Sequence, residues 1–219
     1  MPAYLTTAII AYLIGSFPSG YLAGRICGVD LQKVGSGNTG ATNAMRLLGK
    51  KWGYSVFAAD ALKGVLAVMA GFAIADVPQW RGPLPVHVAV VAAFFAIVGH
   101  SFPVWLGFKG GKGISTSAGI MLALFPFGVF LSGLLVWLIL FFSTRFVSLA
   151  SLGAAVALPT ASILLMLFGR PDTMIIGKCD PVLALISALM GALAIWRHKD
   201  NIKRLLAGTE KRFESKPHH

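Results

Sequence analysis

The sequence predicts an all-α integral membrane protein, a bundle of seven transmembrane helices, some short or tilted, with the N-terminus outside and the C-terminus in the cytoplasm. Three observations predict it. Of the 219 residues, 56% are hydrophobic and only 12% are charged, and the mean hydropathy is +0.76. That is too apolar for an ordinary soluble domain. The apolar residues gather into stretches of about 20, the length that crosses a bilayer as a helix. The basic residues behind the net charge of +11 gather in short loops and at the C-terminal end. A basic face for nucleic acid would need them on one exposed surface, so an anionic membrane leaflet and anionic substrates explain them better.

Span one covers residues 3–24, where Gly15, Ser16, Pro18, Ser19, Gly20 and Gly24 allow close helix packing. No basic residue precedes it, unlike a secretory signal peptide, so it is kept as a span. A polar loop, 25–51, carries Arg25, Lys33, Arg46, Lys50 and Lys51, and span two follows at 52–76. Within span two Asp60 and Lys63 share a helix face. They admit two readings, a functional intramembrane pair or a structural ion pair that positions the neighbouring loop. Span three, 85–106, runs into Gly99-His100-Ser101-Phe102-Pro103 and a second polar run, Phe108–Ser117. Residues 114–143, broken by Pro126, Gly128 and Gly133, are more than one span requires and are divided into spans four and five. Span six is 147–168, span seven is 180–196, and Leu205-Leu206 in the charged tail suggests an amphipathic turn at the interface.

With seven spans, loop 25–51, loop 107–113, Arg145 and the tail share one side, leaving Arg81, Arg170 and Lys178 opposite. The positive-inside rule makes the first side cytoplasmic, so all motif-rich polar stretches fall on one face. The chain reads as a single membrane domain, 1–219, with 197–219 a cytoplasmic basic tail within it. Cys27 and Cys179 fall near opposite faces, which argues against a disulfide and for inert packing.

Gly35-Ser-Gly-Asn-Thr-Gly-Ala-Thr-Asn-Ala-Met-Arg46 reads as a phosphate cradle: glycines for close backbone approach, neutral donors, and an arginine fork. It contains Gly35-x-Gly37-x-x-Gly40 but lacks the βαβ context and following acidic residue of a dinucleotide fingerprint. Gly110-Gly111-Lys112-Gly113 has the parts of a second anion site at the start of span four, or of a basic turn held by lipid phosphates. It is not a Walker A loop, since Leu106 stands where the first glycine belongs and Gly113 where Ser or Thr belongs. His100 and His198, beside motif runs, suit a general base, a phosphate ligand or an interfacial hydrogen-bonding group. No His, Cys and carboxylate cluster points to a metal, and no Ser-His-Asp or Cys-His set to a covalent nucleophile. Two phosphate cradles without either suit transfer from an activated donor such as an acyl phosphate, which needs positioning and oxyanion stabilisation.

Gly35–Asn43, Gly99–Pro103 with Phe108–Gly113, and His198-x-x-Asn-Ile-x-Arg-Leu-Leu-x-Gly-x-Glu210, in that order, resemble the bacterial acyl-phosphate glycerol-3-phosphate acyltransferase (PlsY) family over almost the whole chain. The resemblance implies transfer of a fatty acyl group from acyl phosphate to the 1-position of glycerol 3-phosphate, giving lysophosphatidic acid, in the bacterial inner membrane with the site facing the cytoplasm. It implies no cofactor and no metal, with membrane lipid as the remaining partner, and leaves the oligomeric state open, a monomer included.

Carried onto this chain, the catalytic residues are Ser36, Arg46, Lys112, His198 and Asn201. The substrate-binding residues are Gly37, Asn38, Thr42, Asn43, His100, Lys109, Gly110, Gly111, Gly113, Ser151 and Glu210. Arg46 and Lys112 would bind phosphate groups, the 110–113 backbone would hold the acyl-phosphate phosphoryl, and Ser36, Ser151 and Asn201 would orient glycerol phosphate. A substrate phosphate or His198 would take the hydroxyl proton, and Glu210 would also brace the tail. Ile114-Ser115-Thr116 departs from the family's usual Val-Ala-Thr without touching a proposed role. A small anion channel or phosphate-lipid carrier is the competing reading, disfavoured because all motifs lie on one face and no inverted repeat is visible. A CoA-dependent acyltransferase would show Asp five positions after a histidine, where Trp105 and Lys203 stand.

Overall fold

The computed structural model describes residues 2–80, 84–170 and 178–213. Arg81, the middle of the 169–180 link, Glu214, His218 and His219 lie outside them. The described residues contain ten α-helices and no strand. They fall into two compact units, Met1–Leu124 and Phe125–His219, the boundary lying just before Pro126.

In the first unit, α1 (Pro2–Gly15) and α2 (Ser19–Ile26) are two pieces of what reads as one span. Pro18 causes the break. It has no N–H to offer the Ile14 carbonyl, which accepts from Phe17 instead at 3.2 Å. The polar loop leads into α3 (Ala41–Leu48), and Gly49 turns the chain into α4 (Lys50–Ala75). After α5 (Pro85–Ser101) comes α6 (Ile114–Leu124). Helix α4 is central, packing against α1, α3, α5 and α6. Small residues let these backbones touch: a Cβ on Gly119 would run into the Ala61 carbonyl, and one on Gly64 into the Thr116 carbonyl. In a lipid solvent, where burying a side chain between helices gains little over lipid contact, such close approach is what holds helices together.

In the second unit, α7 (Phe127–Thr144), α8 (Val147–Phe168) and α9 (Pro181–Arg197) pack in sequence, and α10 (Lys199–Leu206) turns away from α9 by 58°. Pro159 sits inside α8, and Asp180 caps α9 by accepting from the Val182 N–H at 2.8 Å. Cys27 is an exposed thiol and so does not pack, whereas Cys179 is buried.

Five helical stretches among the described residues are long and apolar enough to cross a membrane: Pro2–Ile26, Lys50–Ala75, Pro85–Leu106, Phe127–Thr144 and Val147–Phe168. Counting the bent pair α9 and α10 as one span makes six. Helix α6 occupies the expected place of span four, but 11 residues rise only about 17 Å, against a hydrocarbon core of about 30 Å. Large apolar side chains such as Leu5, Leu66, Ile139, Phe142 and Leu167 are more than 40% exposed, as lipid-facing residues are. The chain is a multi-pass membrane protein.

Candidate active site

The first polar run is a built loop. Leu31 and Ala44 on its underside are buried with Ala23 and Val56, which pins both ends of the run to α2 and α4. Gly35 and Gly37 take φ of 69° and 68°, conformations that L side chains rarely adopt. Buried Asn43 then fixes the turn: its Oδ1 accepts the Ser36 N–H at 3.0 Å, and its Nδ2 donates to the Leu31 and Val34 carbonyls, both at 3.2 Å. Asn38 Oδ1 accepts the Gly40 N–H at 2.8 Å. Of the two amides proposed to bind substrate, Asn43 bonds the loop through both ends and Asn38 through Oδ1, while Ser36 and Arg46 are exposed and Thr42 is half-buried on the first turn of α3.

The second run folds back on the end of α5. Gly107 and Phe108 both take left-handed φ, and the reversed chain places the Gly110 N–H on the Ser101 carbonyl at 3.2 Å and the Gly111 N–H on the His100 carbonyl at 3.1 Å. Gly110, Gly111 and Gly113 are buried, Lys112 is half-buried and Lys109 is exposed. The Gly113 carbonyl accepts the Ser117 N–H at 2.7 Å and so starts α6. Lys112 therefore stands directly before a helix N-terminus, where open N–H groups and the helix dipole favour an anion. Gln32 Nε2 donates to the Lys109 carbonyl at 3.0 Å, so this unit draws the two glycine runs together.

Beneath them lies a polar cleft of about 210 Å³, part of it open solvent, that touches Thr39 of the first run and His100 below the second. Asp60 and Lys63 are buried there, Nζ 2.7 Å from Oδ1. Lys63 also donates to the Phe17 carbonyl at 3.0 Å, and Ser19 Oγ donates to Asp60 Oδ1 at 2.6 Å. The pair satisfies backbone freed by the Pro18 break. His100 is buried, its Nδ1 faces Asp60 Oδ1 at 3.6 Å, and its Nε2 edge lies against Gly111. It supports the loop from below.

The second unit builds its own polar group. Ser148 and Ser151, three residues apart on α8, are both buried. His198 sits at the bend between α9 and α10 and donates from Nδ1 to the Ala194 carbonyl at 2.7 Å. A carbonyl can only accept, so the neutral ring carries its proton on Nδ1 and presents Nε2 as the basic nitrogen. Glu210 Oε1 accepts from Ser148 Oγ and Asn201 Nδ2, both at 2.7 Å, and Oε2 accepts from Arg204 Nε at 2.6 Å. Burial pushes that carboxyl up, but the three donors and the guanidinium charge outweigh it and hold it below the usual carboxylate range. With both oxygens engaged, Glu210 braces Asn201. The Phe213 N–H donates to the Arg145 carbonyl at 2.7 Å and ties down the tail. Ser19, Ser148 and Arg204 are not among the site residues that the sequence singles out. The last two had a usable signal, since Ser148 shares a helix face with Ser151 and Arg204 is the one arginine inside the third motif.

Residues 5–208 match the family model described as glycerol-3-phosphate acyltransferase. The glycerol-3-phosphate acyltransferase of Synechococcus elongatus is 45% identical over 94% of this chain and 92% of its own, and that of Aquifex aeolicus 40% identical over 95% and 98%. The solved structure of PlsY (YgiH), an integral membrane glycerol 3-phosphate acyltransferase, in its glycerol 3-phosphate form, superposes with a TM-score of 0.80 at 38% identity, covering 97% of this chain and 96% of that one. Its lysophosphatidic acid form superposes with a TM-score of 0.78 at 37% identity over the same shares. This chain belongs to the glycerol-3-phosphate acyltransferase family.

Proposed function

We propose that this acyltransferase moves a fatty acyl group from acyl phosphate to the 1-hydroxyl of glycerol 3-phosphate, giving lysophosphatidic acid and inorganic phosphate, at the cytoplasmic face of the bacterial inner membrane. The observation that carries the reading is the pairing of two glycine runs in one unit, one ending in Arg46 and the other presenting Lys112 at the start of α6. Two phosphorylated substrates need two such cradles. The hydroxyl oxygen attacks the acyl carbonyl carbon, the carbonyl–oxygen bond to phosphate breaks, and phosphate leaves with the electron pair. Arg46 and Lys112 hold the two phosphates, while backbone N–H groups of 110–113 and the start of α6 stabilise charge developing on the donor. Ser36, Ser151 and Asn201 orient glycerol phosphate, and the hydroxyl proton passes to a substrate phosphate or to His198 Nε2. Seven crossings, with α6 as the short one, an outside N-terminus and a cytoplasmic tail are the topology proposed with it.

The test gives the purified protein glycerol 3-phosphate with either palmitoyl phosphate or palmitoyl-CoA and measures lysophosphatidate. Product is expected from the acyl phosphate alone. Product from the thioester alone overturns the donor, and no product from folded protein with either overturns the reading.

A further inference from the structure

The proposed reaction leaves one cluster unused. Asp60 is 1% exposed and Lys63 5% exposed, and because burying an ion pair inside a span is costly, such a pair is by default a candidate for a functional role. Its contacts run in two directions. Toward the first run, Asp60 Oδ1 accepts from Ser19 Oγ at 2.6 Å and Lys63 Nζ donates to the Phe17 carbonyl at 3.0 Å, which sets where α2 begins. The next residue, Gly20, lies so close under Thr39 that a Cβ would collide with its carbonyl, so the start of α2 is the floor of the first glycine run. Toward the second run, the same Asp60 oxygen faces His100 Nδ1 at 3.6 Å. The far edge of that imidazole lies against Gly111, where a Cβ would collide with Nε2, and the His100 carbonyl holds the Gly111 N–H at 3.1 Å.

We propose that Asp60 is a positioning residue for acyl transfer: through Ser19 and α2 on one side and His100 on the other, its carboxylate sets the register of the two glycine runs. Asp60 touches no substrate in this arrangement. One oxygen atom is the shared reference for both loops, so the two phosphates they hold are placed relative to each other and not only each in its own cradle. Lys63 keeps the carboxylate in place and completes the broken span. Asparagine in place of Asp60 could accept one of these contacts but would lack the charge that holds Lys63 and faces the ring, and both loops would lose their common anchor.

This inference rests on the proposed reaction, and kinetics on the purified full chain with both substrates varied can separate the two. In Asp60→Asn the KM values for glycerol 3-phosphate and palmitoyl phosphate should both rise, by about tenfold each. In Ser19→Ala, which disturbs only the first arm, the KM for glycerol 3-phosphate should rise while that for palmitoyl phosphate stays within about twofold. A merely structural role would reduce the active fraction, which lowers apparent kcat and leaves both KM values in place. Asp60→Glu should recover part of the Asp60→Asn loss. If Asp60→Asn does not accumulate because Lys63 is left alone, Asp60→Asn/Lys63→Gln removes both charges together. A stable double variant with both KM values still raised supports the positioning role, and one with wild-type KM values overturns it. Unchanged KM values in Asp60→Asn or in Ser19→Ala likewise overturn it. An inactive wild type brings down the proposed reaction itself, and this inference with it.

Discussion

Each unit of the molecule hangs its functional loops on one carboxylate, and the two carboxylates are held in different ways. Asp60 lies inside a membrane-spanning helix and gathers its partners on a single oxygen, within a unit whose helices touch backbone to backbone at Gly64 and Gly119. Glu210 lies past the last helix and uses both oxygens, each with its own donors. Losing one partner of the buried Asp60–Lys63 pair leaves a charge unpaired, so the network around Asp60 works only if complete. Around Glu210 each oxygen has its own donors and Arg204 is partly exposed to solvent, so the group can loosen by degrees. The first unit should therefore fail sharply and the second gradually.

The largest effects are expected where charge meets substrate in the first unit. Arg46→Ala and Lys112→Ala should each lower kcat/KM by about 10²–10³-fold, the usual loss when a donor to developing charge is removed, while elution and thermal midpoint in detergent stay close to wild type. Near-normal kcat/KM in either variant removes that residue from the site. A smaller loss is expected in the second unit. Glu210→Gln keeps the shape of the side chain but puts a donor or a neutral oxygen opposite Arg204, and kcat/KM should fall about tenfold. A Glu210→Gln loss as deep as that of Lys112→Ala would erase the contrast between the units and make Glu210 a substrate-contacting residue after all.

Much of this was legible before any coordinates. Hydropathy placed the long apolar helices within a few residues, because a helix that crosses lipid must be apolar over a nearly fixed length, whereas α3 lay inside what reads as the polar loop 25–51. Pro126 marked the division between α6 and α7, and span seven at 180–196 falls within one residue of α9 at either end. The break in the first span was harder to see. Pro18 was noted only among small residues that ease packing, since a proline can also kink a span without breaking it. The roles of the polar residues inside each motif were least legible. Asn43 and Arg46 are both polar and three residues apart, yet Asn43 turns inward to close the loop and Arg46 points outward. Nothing in composition separates them. What does is the demand that the Ser36 N–H and the Leu31 and Val34 carbonyls find partners. His100 and Glu210 illustrate the same point, each a motif residue whose side chain serves another protein group.

The smallest predicted effect tests the second unit by pH. The Glu210 carboxyl titrates below its ordinary range when folded, so its bonds stabilise the docked tail above the pKa of the free side chain. That stabilisation is lost as pH falls through the depressed folded value. Hydrogen exchange over residues 199–213 should thus be flat between neutral pH and about pH 5, once corrected for intrinsic exchange rates, and protection should fall below the ordinary glutamate pKa of about 4.3. Glu210→Gln has no proton to take up and should lack that acid-side step, starting from lower protection throughout. If wild type and Glu210→Gln lose protection together as the pH drops, the step belongs to another group. If wild-type protection falls as the pH rises from 5 to 8, the sign is wrong and the carboxylate does not hold the tail.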